Sequence, residues 1–172
     1  MPYQDTKPLI AREQIQLRFA KRASKFVSAY QCLIASADNQ RREMLERAAI
    51  EGGWKTFPCR DAPTALALVS RSTVQLAIVD LEAQQAAAFR PVIEQFKVSS
   101  GLLLIVCGNE GDIDEEVWVR QLGAWLYLPG VVDDGNLSLL CGEARHIAER
   151  LAKSKASERA DASSPAAPIQ RS

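Results

Sequence analysis

Residues 75–80 read QLAIVD and residues 101–107 read GLLLIVC, two short apolar runs with no polar alternation. A strand of that kind does not suit a sheet with one wet face. It belongs in a parallel sheet covered by helices on both sides. Residues 101–107 are the most apolar run in the chain and predict the central strand. Outward from this pair the same unit repeats. Residues 31–36 (QCLIAS) and 54–59 (WKTFPC) predict strands upstream, and residues 125–128 (WLYL) a short one downstream. Helical segments lie between and after them. One spans residues 39–51, with Met44, Leu45 and Ala48 inward and a stop at Gly52 and Gly53. A second follows Asp61 as its cap, with Pro63 tolerated in the first turn and Ala65, Leu66, Leu68 and Val69 along it. Residues 86–98, 114–122 and 137–151 predict three more, and Asp112 and Glu115 are spaced like a capping box.

Strands each followed by a helix give an α/β fold, a doubly wound five-stranded parallel sheet of the flavodoxin-like (βα)5 kind. Crossovers in such a sheet are right-handed, and ligands sit at the carboxyl ends of the strands. The chain has 172 residues, enough for one domain with short extensions. The expected division is an extra N-terminal amphipathic helix in residues 1–30, the α/β domain in residues 31–153 and a disordered tail in residues 154–172. The first rests on Ile15, Phe19, Ala23, Phe26 and Tyr30, which fall on one helical face, with Arg12, Arg18, Lys21, Arg22 and Lys25 on the others. Such a helix packs on the domain or pairs with a second copy, or else lies on a membrane surface or meets a partner. The tail is rich in Ala, Ser and Pro and lacks apolar periodicity.

Composition removes several function classes. Lysine plus arginine (21) equals aspartate plus glutamate (21), so no global charge attracts nucleic acid or a membrane surface. No stretch approaches the ~20 apolar residues of a membrane span. The N-terminus lacks the basic and apolar regions of a signal peptide. Cys32, Cys59, Cys107 and Cys141 are far apart, each within an apolar stretch, and the single histidine, His146, completes no metal site. Buried reduced thiols in a cytoplasmic protein are expected. The loop after the first strand (SADNQRRE) has neither a glycine-rich phosphate cradle nor a nucleophile with its base, so no cofactor and no enzyme activity are predicted.

Three local patterns bear a resemblance to a known family. Gly53 and Trp54 end the first helix; Ala65 and Leu66 precede LAIVD, which ends on Asp80; Gly123, Ala124, an aromatic-rich strand and Pro129 follow in order. Their order and spacing resemble the receiver domain of bacterial response regulators, with Asp80 at the phosphoacceptor position. The resemblance implies a magnesium ion held by an acidic pair after the first strand together with that aspartate. Here the pair falls on Ser36 and Ala37, neither a carboxylate, with Asp38 one place further along. The family's lysine is replaced by Leu128 and its switch threonine or serine by Cys107.

Phosphoryl transfer to a carboxylate depends on positioning and charge neutralisation. At roughly 4 Å, two like charges repel by about 4 kcal/mol for an effective dielectric near 20. With no cation and no lysine, Asp80 is expected to be an inactive acceptor and the chain a non-catalytic pseudo-receiver, a phosphorylation-independent protein interaction module in signalling. The alternative is an atypical receiver still phosphorylated on Asp80, with Asp38 as a substitute metal ligand. Trp118, Arg120, Trp125 and Tyr127 mark the candidate interaction surface, since aromatics and arginine are favoured at interface centres. In the resembling family the face of helix four, strand five and helix five docks a partner or a second copy.

Overall fold

The computed structural model of the chain describes residues 30–71, 73–82, 86–96, 101–130 and 134–162. The expected N-terminal helix therefore lies outside the described residues but for Tyr30. Among the described residues no helix is long and apolar enough to cross a membrane.

Five strands form one parallel sheet: β1 (Gln31–Ala35), β2 (Lys55–Cys59), β3 (Leu76–Asp80), β4 (Leu103–Gly108) and β5 (Leu126–Pro129). Their order is β2-β1-β3-β4-β5, which is the flavodoxin-like winding. The helices are α1 (Asn39–Glu51), α2 (Ala62–Arg71), α3 (Arg90–Phe96), α4 (Ile113–Gln121) and α5 (Asp134–Ala162). β3 and β4 are buried along their whole length, as their unbroken apolar runs require.

Strand alternation sorts the core into two layers. Leu33, Ala35, Ala77, Val79, Leu104 and Val106 face one way and meet α2, α3 and α4 through Ala65, Val92, Ile93 and Val119. Cys32, Ile34, Leu76, Ile78, Ile105 and Cys107 face the other and meet α1 and α5 through Leu45, Ala48, Leu137, Cys141 and Ala144. The α1–α5 contact is close. A Cβ at Gly52 would lie 2.5 Å from that of Cys141, so the glycine is what lets the two elements touch. Trp54 Nε1 donates to the Cys141 carbonyl at 2.8 Å, and the Arg145 guanidinium lies over the Tyr30 ring while donating to the Gly53 carbonyl at 2.7 Å.

Three expectations are corrected. The middle strand of the sheet is β3, with β4 beside it, so the most apolar run is not the central strand. Residues 86–98 do not form one α-helix: a 3-10 turn (Ala86–Phe89) leads into the shorter α3. The last helix runs to Ala162, well into the stretch assigned to a disordered tail, and residues 163–172 lie outside the described residues. The extension is solvated throughout residues 151–158. It needs no apolar stripe because Ala, Lys, Glu and Arg carry helix propensity of their own, and that is why periodicity missed it.

Candidate functional site

In this strand order the winding reverses between β1 and β3, and in such sheets ligands sit at the carboxyl ends of the strands at that point. Asp80 closes β3 there and is completely buried. Its Oδ2 accepts from Ser36 Oγ at 2.7 Å and from Arg41 Nε at 2.9 Å. Its Oδ1 accepts from Arg41 Nη2 at 3.0 Å and from the Glu82 N–H at 3.2 Å. Arg41 thus grips the carboxylate through two parallel bonds, the strongest and most directional form of that pair. Its Nη2 also lies 2.6 Å from Glu82 Oε2, an ion pair rather than an aligned hydrogen bond.

The local sequence places this arginine. Asp38 is the N-cap of α1, and its Oδ1 accepts the Arg41 N–H at 2.8 Å. Arg41 is then the third residue of the helix. Helical side chains lean toward the N-terminus, so it reaches back over the ends of β1 and β3. Burial pulls the guanidinium pKa down, but the hydrogen bond and charge of Asp80, then the charge of Glu82, more than offset this and raise it. Arg42, next in the turn, donates to the Ser36 carbonyl at 3.0 Å.

The other singled-out residues take different places. Ser36 is buried and belongs to the site through its hydroxyl. Ala37 packs against the α2–α4 layer. Asp38 spends its carboxylate on the helix cap. Cys107 pairs with Asp80 across β3 and β4 and is fully buried. Burial first, and the charge of Asp80 second, push its thiol up to about 12, so it is no thiolate near neutrality. Leu128 stands opposite Cys107 on β5 and packs in the α1–α5 layer. Arg41 and Glu82 were not singled out from the sequence, although they complete the site.

Trp118, Arg120, Trp125 and Tyr127 are not brought together as one patch. The Trp118 ring lies under the Arg90 guanidinium, 4.7 Å away, against the α2–α4 layer, whereas Trp125 packs on the α1–α5 layer. Tyr127 is buried, and its hydroxyl donates toward Glu115 Oε1 at 3.0 Å. Arg120 is exposed and pairs with Glu116. The cap at Asp112 forms as expected, but Glu115 does not reach back to it: its carboxylate accepts from the Asn109 N–H and from Tyr127. Among the described residues of α4 and α5, the large exposed apolar side chains are Ile113, Val117, Leu139 and, near the far end of α5, Leu151.

The magnesium ion implied by the resemblance does not fit these residues. Magnesium requires carboxylate oxygens in tight octahedral geometry. The positions after β1 offer a hydroxyl and a methyl, and both Asp80 oxygens are held by a guanidinium. Among the described residues no cluster of three or more His, Cys, Asp or Glu could hold a metal.

Solved structures resemble this architecture. A CheY-like response regulator receiver domain protein from Methanospirillum hungatei JF-1 matches with a TM-score of 0.62 at 18% identity, over 72% of this chain and 98% of that one. A response regulator receiver domain protein from Clostridium thermocellum matches at 0.60 and 15%, over 71% and 98%. A sensor protein from Polaromonas sp. JS666 matches at 0.55 and 21%, over 67% and 94%. No protein-family model matches the sequence, and no curated protein matches it. With its strand order, its buried aspartate at the end of β3 and these likenesses, the chain has the fold of a response-regulator receiver domain.

Proposed function

We propose that this chain is a pseudo-receiver: a non-catalytic, phosphorylation-independent protein interaction module of bacterial signal transduction, working in the cytoplasm. The observation that supports it is the bidentate Arg41–Asp80 pair. A phosphoryl group arriving at Asp80 has to displace the guanidinium, giving up two charge-assisted hydrogen bonds, and then lies close to the Glu82 carboxylate. No lysine stands at position 128 to compensate. The site is held shut by its own chain. What remains for the fold to offer is surface, and Ile113, Val117 and Leu139 give α4 and α5 exposed apolar contacts for a protein partner or a second copy. The N-terminal segment, residues 1–30, is the second proposed contact, through its apolar stripe.

Incubation with acetyl phosphate and magnesium, followed by intact mass, tests the chemistry. No adduct is expected, nor any heat on titration with magnesium and beryllofluoride. A phosphoryl adduct that Asp80→Asn abolishes overturns the proposal. Partners captured by the wild-type chain are expected on Asp80→Asn as well, because binding does not depend on modification.

A further inference from the structure

We infer that residues 1–29 return to their own domain and seat their apolar stripe, Phe26 foremost, in an apolar groove at the amino ends of β3 and β4. This docking goes further than the contact proposed above for the same segment and rests only on that reading of its stripe. While it lasts, the stripe is withheld from a partner or a second copy. Asp80 takes no part, since it stands at the opposite end of the strands.

The groove is a cavity of about 380 Å³. Val69 near the end of α2, Phe96 at the end of α3, Val74 and Leu102 just before β3 and β4, and Leu151 on α5 line it. Of these only Phe96 is buried, and Leu151 is 37% exposed. A space of that size has room for water, but such side chains give water few partners. Covering them is favourable.

The described chain begins beside this groove, and that names the occupant. Tyr30 leads into Gln31, whose N–H donates to Gln75 Oε1 at 2.8 Å and whose carbonyl accepts from the Gln75 N–H at 3.0 Å. Gln75 is itself a groove residue. The Tyr30 ring is fixed under the Arg145 guanidinium, 3.9 Å from its centroid, and stands edge-on to Trp54. Leu151 follows Arg145 on α5 by six residues, less than two turns. The chain therefore enters the domain against the stretch of α5 that walls the groove. Gln31 Oε1 adds a second sign: it is shielded from solvent without a donor among the described residues, and calls for one from outside them.

The segment upstream fits in reach and in chemistry. Phe26 precedes Tyr30 by four residues, a helical rise of about 6 Å. So short a tether holds the stripe at an effective concentration of millimolar order, which a second copy in dilute solution does not match. Arg12, Arg18, Lys21, Arg22 and Lys25 fall on the other faces, so seating the stripe buries no charge.

Limited trypsin digestion of the full chain, read by mass, tests the docking. Arg18, Lys21, Arg22 and Lys25 report on it, because a docked helix has to open before it is cut. Phe26→Asp and, from the groove side, Leu151→Asp are each expected to speed cleavage there by about tenfold or more, while the domain stays resistant. In a chain carrying Phe26→Cys and Ala152→Cys, a short bis-maleimide is expected to join the two positions within one chain, the native thiols being buried. Phe26→Cys with Ile113→Cys, at the other end of the sheet, is expected to give no such link. Cleavage in the wild-type chain as fast as in both variants overturns the docking. So does the absence of the link to position 152, or a link formed only between chains, which would give the groove to a second copy. If Leu151→Asp unfolds the domain, Phe26→Asp and the cross-link decide. Loss of captured partners in Phe26→Asp, with docking refuted, would leave the stripe as a contact between molecules, so the two readings fail separately.

Discussion

At the scale of single residues, the position of one arginine governs the chemistry. A buried carboxylate without a partner is strongly unfavourable, whereas a buried pair replaced as a unit by apolar groups is often neutral. Asp80 keeps two other donors, Ser36 Oγ and the Glu82 N–H, but neither brings charge. Arg41→Ala is therefore expected to lower stability by about 3–5 kcal/mol, read as a fall in the urea midpoint at unchanged slope. Arg41→Ala combined with Asp80→Ala should recover most of that loss, since no charge is then left stranded. A loss below about 1 kcal/mol for Arg41→Ala, the size of a solvent-exposed pair, would mean that the hydroxyl and the amide suffice for Asp80. Arg41→Lys tests geometry separately from charge, because an ammonium cannot reproduce the two parallel bonds of the fork.

At the scale of elements, the strands were legible and the site was only half so. Buried parallel strands announce themselves as unbroken apolar runs, which is why QLAIVD and GLLLIVC located β3 and β4, although apolarity alone put β4 rather than β3 at the centre of the sheet. Ser36, Ala37 and Leu128 could be named from the sequence because they fall at fixed places in a recognisable order of elements. Arg41 could not be read by periodicity, since its partner is 39 residues away and the pairing is tertiary. Two consecutive arginines at the start of α1 do stand against the dipole, but the Asp38 carboxylate at the cap already offers an anion there, so they did not point to Asp80. The end of α5 was missed for the opposite reason, because a solvated helix has no face to betray it. Packing between elements gives its own test at β4 and β5. The Tyr127 ring lies directly over Gly108, where a Cβ would collide with the ring carbons and the hydroxyl oxygen. Gly108→Ala should push the ring off Glu115 and destabilise the fold by roughly 1–3 kcal/mol, as overpacking does. Tyr127→Phe in that background would not relieve the clash with the ring. A wild-type urea midpoint for Gly108→Ala would show that β5 yields freely.

At the scale of the whole molecule, the two layers differ in their thiols. Cys32, Cys107 and Cys141 all belong to the α1–α5 layer, and Cys59 to the other. Burial raises each of them: Cys32 well above its ordinary value, Cys59 to about 11, and Cys107 and Cys141 to about 12. An unfolded chain titrates its thiols near pH 8.5. Below that value the thiols are protonated in both states, and their contribution to stability is complete. Above it the unfolded chain releases protons that the folded chain still holds, so stability falls as pH rises and keeps falling until the folded values near 11 and 12 are reached. The raised Tyr127 hydroxyl, desolvated and bound to Glu115, acts in the same direction at higher pH. Urea midpoints measured from neutral pH upward should thus decline once pH passes about 8.5. Cys141→Ala should lower the starting value, because it removes a buried sulfur from the α1–α5 layer, and yet make the decline shallower by one thiol. A decline equally steep in Cys141→Ala would mean that this thiol titrates in the folded chain as it does in the unfolded one, and that the α1–α5 layer admits water where the packing of Gly52 against Cys141 says it does not.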